Sequence, residues 1–366
     1  MQVRPAKLSD NAALLRIFAE CGMAAKTSLT TLRDPDFFSL TRLQGDPVDI
    51  GVAESSVAGV IGCIAVARRR VWLAGVPREV AFIQDLRVRT THRRLGVGDA
   101  LLTWARSRTA ETLGRTGIAI AASLAGNRTI ERRIEGPRQQ PVLTDAGSIR
   151  LHTILVAGVP APNGHARQVR SARPGECTML AALWDRIGPG RELAPVLDER
   201  ELSRIFGNSS GLSLHDFLVI EEDGEPAAFL ALWDQRGLRA TRVDRYSPGA
   251  SLIRGLYQLT SRLHRGPALP REGELLHAPA VLFPCVPPHR PDLLRYLLGA
   301  AAGRCRTRGY PAFTMALDQG DPLEASLRGI PAVRTVVRLY LTSPEGAYAG
   351  PALVTGRPLH FEPALS

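Results

Sequence analysis

The chain carries its pattern twice, and that repetition restricts it to folds in which two similar units lie in tandem. Val3-Arg4 opens a stretch that reaches Gly22 nineteen residues later, and Val169-Arg170 opens another that reaches Gly188 at the same spacing. Each then carries an amphipathic helix. Leu14, Leu15, Ile17 and Phe18 mark one apolar face, and Leu180, Leu183 and Trp184 mark the other. The parallel returns further on. Gly117-Ile118-Ala119-Ile120 and Gly309-Tyr310-Pro311-Ala312-Phe313 each begin a small-residue strand, and Glu131 precedes Gly136 as Glu324 precedes Gly329. Both runs end in a last strand, at Ile149-Arg150-Leu151-His152 and Val337-Arg338-Leu339-Tyr340. The Gly/Pro-rich run Ala157-Gly158-Val159-Pro160-Ala161-Pro162-Asn163-Gly164 between them reads as a linker. The expected division is a first domain over 1–157, a linker at 158–166, a second domain over 167–345 and a tail at 346–366.

Within each unit, helices alternate with short apolar runs. The first shows a hairpin over Asp49–Ala67, then strands at Val71–Val76 and Glu79–Val88. The second repeats the hairpin, with Phe217–Ile220, the turn Glu222-Asp223-Gly224-Glu225, and Ala227–Trp233. Asp-Gly is a strong two-residue turn signal. The fold class expected is α+β, each unit a mixed, mostly antiparallel sheet flanked by helices.

One loop carries chemistry. After the strand ending at Val88, Arg93-Arg94-Leu95-Gly96-Val97-Gly98 runs into a helix over Asp99–Leu113 that buries Leu101, Leu102, Ala105, Thr109 and Leu113. Gly114 is placed to cap it. Glycines let backbone N–H groups turn toward an anion, and the helix adds the positive end of its dipole. Strand, basic glycine loop and helix make a site for a phosphate-bearing ligand.

The run Val88-Arg89-Thr90-Thr91-His92-Arg93-Arg94-Leu95-Gly96-Val97-Gly98 resembles the core motif of the GNAT superfamily of N-acetyltransferases, Val-x-Pro-x-x-Arg-x-x-Gly-x-Gly/Ala, with Thr90 where proline is common. The opening Val3-Arg4-Pro5-Ala6 with Ser9-Asp10, and Asn127 after the next strand, are similar to that family too. The resemblance covers about 1–155 well and 166–345 more loosely, so it implies two tandem GNAT domains. It implies acetyl-CoA as donor, with Arg93, Arg94, Leu95, Gly96, Val97, Gly98 and Asp99 around the pyrophosphate. It also implies backbone groups of Leu86 and Val88 along the pantetheine arm. Asn127 is read either as a hydrogen-bond partner of that arm or as a turn residue. The activity implied is acetyl-CoA-dependent transfer to the amine of a small-molecule or peptide acceptor. The alternative is a catalytically weak CoA-binding regulatory or sensor protein.

The second unit departs at the loop. Phe283-Pro284-Cys285-Val286-Pro287-Pro288-His289-Arg290-Pro291 has no glycine, and its prolines lack backbone donors. A helix, Asp292–Arg304, still follows. The second copy is therefore expected to keep the fold without binding CoA. Cys285 and His289 read as structural, with no third group to orient them.

For proton transfer, Asp85 is the acidic residue nearest the thioester on its strand, read either as the catalytic base or as a structural partner of Arg87 or Arg93. Glu54, Glu79 and His152 are further candidates for the base. The family's thiolate donor, a tyrosine about seven residues after the asparagine, is replaced by Ile134, and no tyrosine occurs before Tyr246. Water, or a residue of the second unit such as Tyr246 or Tyr340, is the expected substitute. Backbone N–H at Val88 is a candidate donor to the thioester oxygen.

Net charge is +11, yet 44 of the 46 basic residues are arginine, scattered and without aromatic interleaving, so nucleic acid is set aside as a partner. The five cysteines are odd in number and widely spread, which points to reduced thiols and no metal. The absence of a long apolar run and of an apolar leader points to a cytoplasmic protein with no membrane partner. A homodimer is a candidate assembly.

Overall fold

Two residues make the long hairpin of the first half. Ala74 and Gly75 take φ of 51° and 77°, the backbone of a two-residue turn whose twist suits its strands. Val71–Val76 is therefore not a separate strand; it holds the turn between two long ones. Asp223 and Gly224, with φ of 53° and 84°, make the equivalent turn in the second half.

The computed structural model describes all residues except 23–26, 128–129, 131–141, 161–168, 208–210, 264–266 and 349. The expected Glu131–Gly136 spacing and most of the linker lie outside the described residues. The first half runs β1 (Gln2–Pro5), α1 (Asn11–Glu20), β2 (Thr27–Leu32), α2 (Phe37–Thr41), β3 (Val48–Ser55), β4 (Gly59–Leu73), β5 (Val76–Val88), α3 (Val97–Leu113), β6 (Ala119–Leu124) and β7 (Thr144–Leu155). The second runs β8 (Val169–Ser171), α4 (Cys177–Ile187), α5 (Glu199–Gly207), β9 (Phe217–Glu222), β10 (Glu225–Trp233), β11 (Ala240–Tyr246), α6 (Pro248–Leu263), β12 (Leu275–Leu276), β13 (Ala280–Cys285), α7 (Pro291–Thr307), β14 (Ala312–Asp318) and β15 (Ala332–Thr342).

Twelve strands form one sheet in the order β1-β3-β4-β5-β6-β15-β7-β14-β13-β10-β9-β8. Read from either end, the order is the same, except that the last strands have changed places. β15 pairs with β6, from Val337↔Leu124 to Thr342↔Ala119, and β7 pairs with β14, from Ala312↔Leu155 to Asp318↔Ile149. Each half thus completes its sheet with the other half's last strand. The two exchanged strands pair with each other at the centre. There Ile149, Val337, Leu339 and Leu341 pack with Phe82 and Ile120 in one core.

Matching ion clusters sit at the sheet's two ends. Arg4 faces Val52 in register and binds Asp10 at 2.8 Å and Glu54 at 2.7 Å. Arg170 faces Val219 and binds Glu176 at 2.6 Å and Glu221. In both halves the second carboxylate lies two residues beyond the facing valine. Hydrogen bonds from the arginines hold Asp10 and Glu176 below the usual carboxylate range.

Helix α3 buries Val97, Leu101, Ala105 and Thr109 at a spacing of four, and Gly114 caps it at φ 80°. Leu102 and Leu113 are only half-buried. Gly62 on β4 lets the helix approach, since a Cβ there would lie 3.1 Å from Leu101 and 3.2 Å from Val97. A small second sheet, in the order β12-β11-β2, joins the halves on the α1 side. In it Thr30 donates to Asp244 at 2.6 Å. Four cysteines are buried, Cys177 is half-buried, and all five are free thiols. Among the described residues no helix is long and apolar enough to cross a membrane.

Candidate active site

Strand β5 leaves its neighbour early. It pairs in parallel with β6 only over Ala81–Ile83. Beyond that, β5 stays on β4 to Val88, while β6 stays on β15 to Leu124. A gap opens between the diverging strands. Arg89 N–H donates to the Ile61 carbonyl at 2.9 Å across the β4 pair. By the alternation of an antiparallel ladder, the N–H and C=O of Val88 then face the gap. The Val88 carbonyl accepts from Arg93 Nε at 3.2 Å and Cys21 Sγ at 3.3 Å.

The loop closes onto α3 with Arg94 and Gly96 at φ of 64° and 77°. A Cβ added at Gly96 or Gly98 would meet nothing within 4 Å, so both face open space. The first intrahelical bond runs from Ala100 N–H to the Gly96 carbonyl, which places the Val97 and Gly98 amides ahead of it at the helix end. Arg93, Arg94, Leu95 and Asp99 are exposed, and Arg93 folds back onto β5. Leu86 and Val88 pack their side chains toward α3. Asn127 is exposed in the turn after β6, its N–H on the Leu124 carbonyl at 3.1 Å.

A bulge breaks β5 at this point. Ala65 pairs with Gln84 and Cys63 with Arg87, so Asp85 and Leu86 have no register partner on β4; Asp85 sits at φ 57°. Its carboxylate meets Arg33 at 2.8 Å. Arg33 is 1% exposed and stacks over Phe18 at 4.8 Å and Phe37 at 5.0 Å. It also donates to Thr41 at 3.2 Å. The expected structural partners, Arg87 and Arg93, are engaged elsewhere. Arg87 lies 4.2 Å over Phe18 and bonds the Cys21 carbonyl, and Arg93 holds Val88. Arg33 lies 52 residues from Asp85, in no pattern that sequence reading could use.

On the same face of β4 and β5, a cavity of 470 Å³ lies between the halves, walled by Gln44, Arg69, Phe82, Leu197, Phe283 and Leu365, with Glu79, Asp198 and Glu201 also lining it. Gln44 is fully buried, and neither polar atom of its side chain has a hydrogen-bond partner. Such a group needs a hydrogen-bond partner from outside the chain, a water or a bound molecule.

The remaining candidates are placed as follows. Glu54 is committed to Arg4. Glu79 is exposed opposite Arg70. His152, on β7, is 1% exposed and 3.7 Å from Glu324; burial, then the charges of Arg334 and Arg150, push its imidazole down to about 4. The Tyr246 hydroxyl donates to the Pro270 carbonyl at 3.0 Å. Tyr340 is buried on β15 in register with Ala121, on the last rung before the gap opens.

The second half has the same bulge at Phe283, at φ 49°, with the register skipping between Phe229 and Ala231. Here the backbone is closed. The Phe283 N–H donates to Glu362 Oε1 at 2.9 Å, and His360 Nε2 lies 2.7 Å from the same oxygen. Both side chains are buried, so residues 359–365 pack against the body of the protein. Burial pushes the Cys285 thiol up, away from a nucleophile's range. His289 borders a separate hollow with Arg290 and Glu222.

The sequence matches no family model and no curated protein sequence. The fold is similar to that of Saccharomyces cerevisiae N-myristoyltransferase with bound myristoyl-CoA. One such structure gives a TM-score of 0.62 at 11% identity over 97% of this chain and 83% of that one. Another gives 0.60 at 12% identity over 93% and 82%. A GCN5-related N-acetyltransferase from Anabaena variabilis gives 0.52 at 12% identity over 94% and 72%. The chain therefore has the acyl-CoA N-acyltransferase fold.

Proposed function

We propose that the protein transfers an acyl group from acyl-CoA to an amine, at one site in the first half. The observation that carries this reading is the gap between β5 and β6, bordered by the Asp85 bulge and ending at the glycine loop of α3. The open space at Gly96 and Gly98 fits the group, because a phosphate can approach the backbone where a side chain would stand.

The residues divide the work. The amides of Val97 and Gly98, the dipole of α3 and the exposed Arg94 hold the pyrophosphate, with Leu95 and Asp99 beside them. Leu86, Val88 and Asn127 border the pantetheine arm. Bound there, acyl-CoA supplies the activated thioester. The Val88 N–H donates to the thioester oxygen. Asp85, held in place by Arg33, takes the proton that makes the amine nucleophilic. Tyr340, which β15 carries into the first half's sheet, returns a proton to the departing sulfur. The cavity under Phe82 receives the acceptor, a small molecule or peptide, with the Gln44 amide bonding its polar part. We assign acetyl-CoA as donor, two copies of one fold over 1–157 and 167–345, and a second copy that has lost its cofactor site.

Thiol release from acetyl-CoA and longer acyl-CoAs, measured against a panel of amines and peptides, tests this reading. Turnover that Tyr340→Phe and Asp85→Asn each reduce, with binding retained, is expected. Tight CoA binding without turnover on any acceptor would contradict it and indicate a sensor.

A further inference from the structure

We propose that α6 lies on an anionic membrane surface, with its apolar stripe in the headgroup layer and the exposed Arg245 and Arg271 on acidic lipids. Leu252, Leu256 and Leu259 share one helical face at a spacing of four and three, with Ile253 beside them. Their exposures are 65, 59, 61 and 44%. The opposite face holds the helix to the protein. Tyr257 and Ser261 are buried there, and the Tyr257 hydroxyl donates to the Pro311 carbonyl at 2.9 Å. A continuous exposed apolar stripe marks a surface used for binding.

Charge selects the occupant. From Arg245 to Arg271 the sequence has five arginines and no aspartate or glutamate. Arg245 and Arg271 are exposed, and Arg254 is held on the Pro270 carbonyl at 2.9 Å. The neighbouring carboxylates each accept a hydrogen bond from the protein, and Glu272 and Glu274 keep their charge at the exposed edge beside Arg271. Asp244 accepts from Thr30 and Arg242, Glu272 from the Tyr246 amide, and Glu274 from the Arg271 amide. A second copy docked about a twofold axis would set arginines against arginines, whereas acidic lipid neutralises them. Surface binding of this kind needs no membrane-crossing helix.

Co-sedimentation of the whole chain with phosphatidylcholine vesicles, alone or with phosphatidylglycerol at roughly three parts in ten, tests the proposal. Binding at least about tenfold tighter to the anionic vesicles, and weaker in high salt, is expected. The Leu256→Glu/Leu259→Glu double variant, altered only at exposed positions, should lose about tenfold in vesicle affinity while keeping its affinity for acyl-CoA. Arg245→Glu/Arg271→Glu should also bind more weakly. Equal binding to both vesicle types, or a double variant that binds like the parent, would overturn the proposal. So would a parent dimer that the double variant dissolves, since a second copy would then cover the stripe.

Discussion

The two halves build the same strand, bulge, loop and helix, and use them in opposite ways. In the first, the bulge carries Asp85 on a buried arginine, and the loop presents Gly96 and Gly98 to open space. In the second, the bulge carries Phe283, its N–H is taken by Glu362, and Pro287 and Pro288 occupy the loop between β13 and α7. The same backbone path is present in both. What separates them is which amides are available, and that depends on a handful of side chains.

The largest expected effect tests that difference directly. Gly98→Trp adds a side chain where nothing lies within 4 Å, so it should fold normally and abolish acyl-CoA binding, as measured by calorimetry. His289→Ala, at the corresponding second loop, should leave binding unchanged. Next is the charged bulge. Arg33→Leu should cost about 3–5 kcal/mol of stability in denaturant titration, because it leaves Asp85 buried and unpaired. Adding Asp85→Leu should restore most of that loss.

His152 at the seam gives a pH-dependent term. Its folded value, about 4, lies below the ordinary 6.5, so the unfolded chain takes up a proton that the folded one refuses. Stability is then lost as pH falls from 6.5 toward 4, by about 3 kcal/mol, and is fully present above that window. His152→Gln should remove this dependence in melts compared across the same range. The smallest effect concerns what the halves share. Arg4→Ala and Arg170→Ala should each cost about 1–2 kcal/mol, and similar amounts, because their clusters match. Sharply unequal costs would break the equivalence.

The sequence showed local features well. Asp223-Gly224 announced its hairpin, and Gly114 its helix end, because both depend on a backbone conformation that few residues adopt. Ala74-Gly75 was harder to read, since alanine gives no turn signal. The exchange of β7 and β15 was not legible. Both are apolar strands, and periodicity says which face is buried but not which neighbour is paired. Arg33 and Gln44 were missed for a similar reason. Each acquires its meaning only when α2 and the segments flanking it fold over β4 and β5.

The proposed function requires one open cofactor site and one closed one. Calorimetric titration of CoA into the whole chain tests it most directly. One CoA per chain, lost in Gly98→Trp and unchanged in Glu362→Ala, is the predicted result. Two per chain, or binding that survives Gly98→Trp, would contradict it.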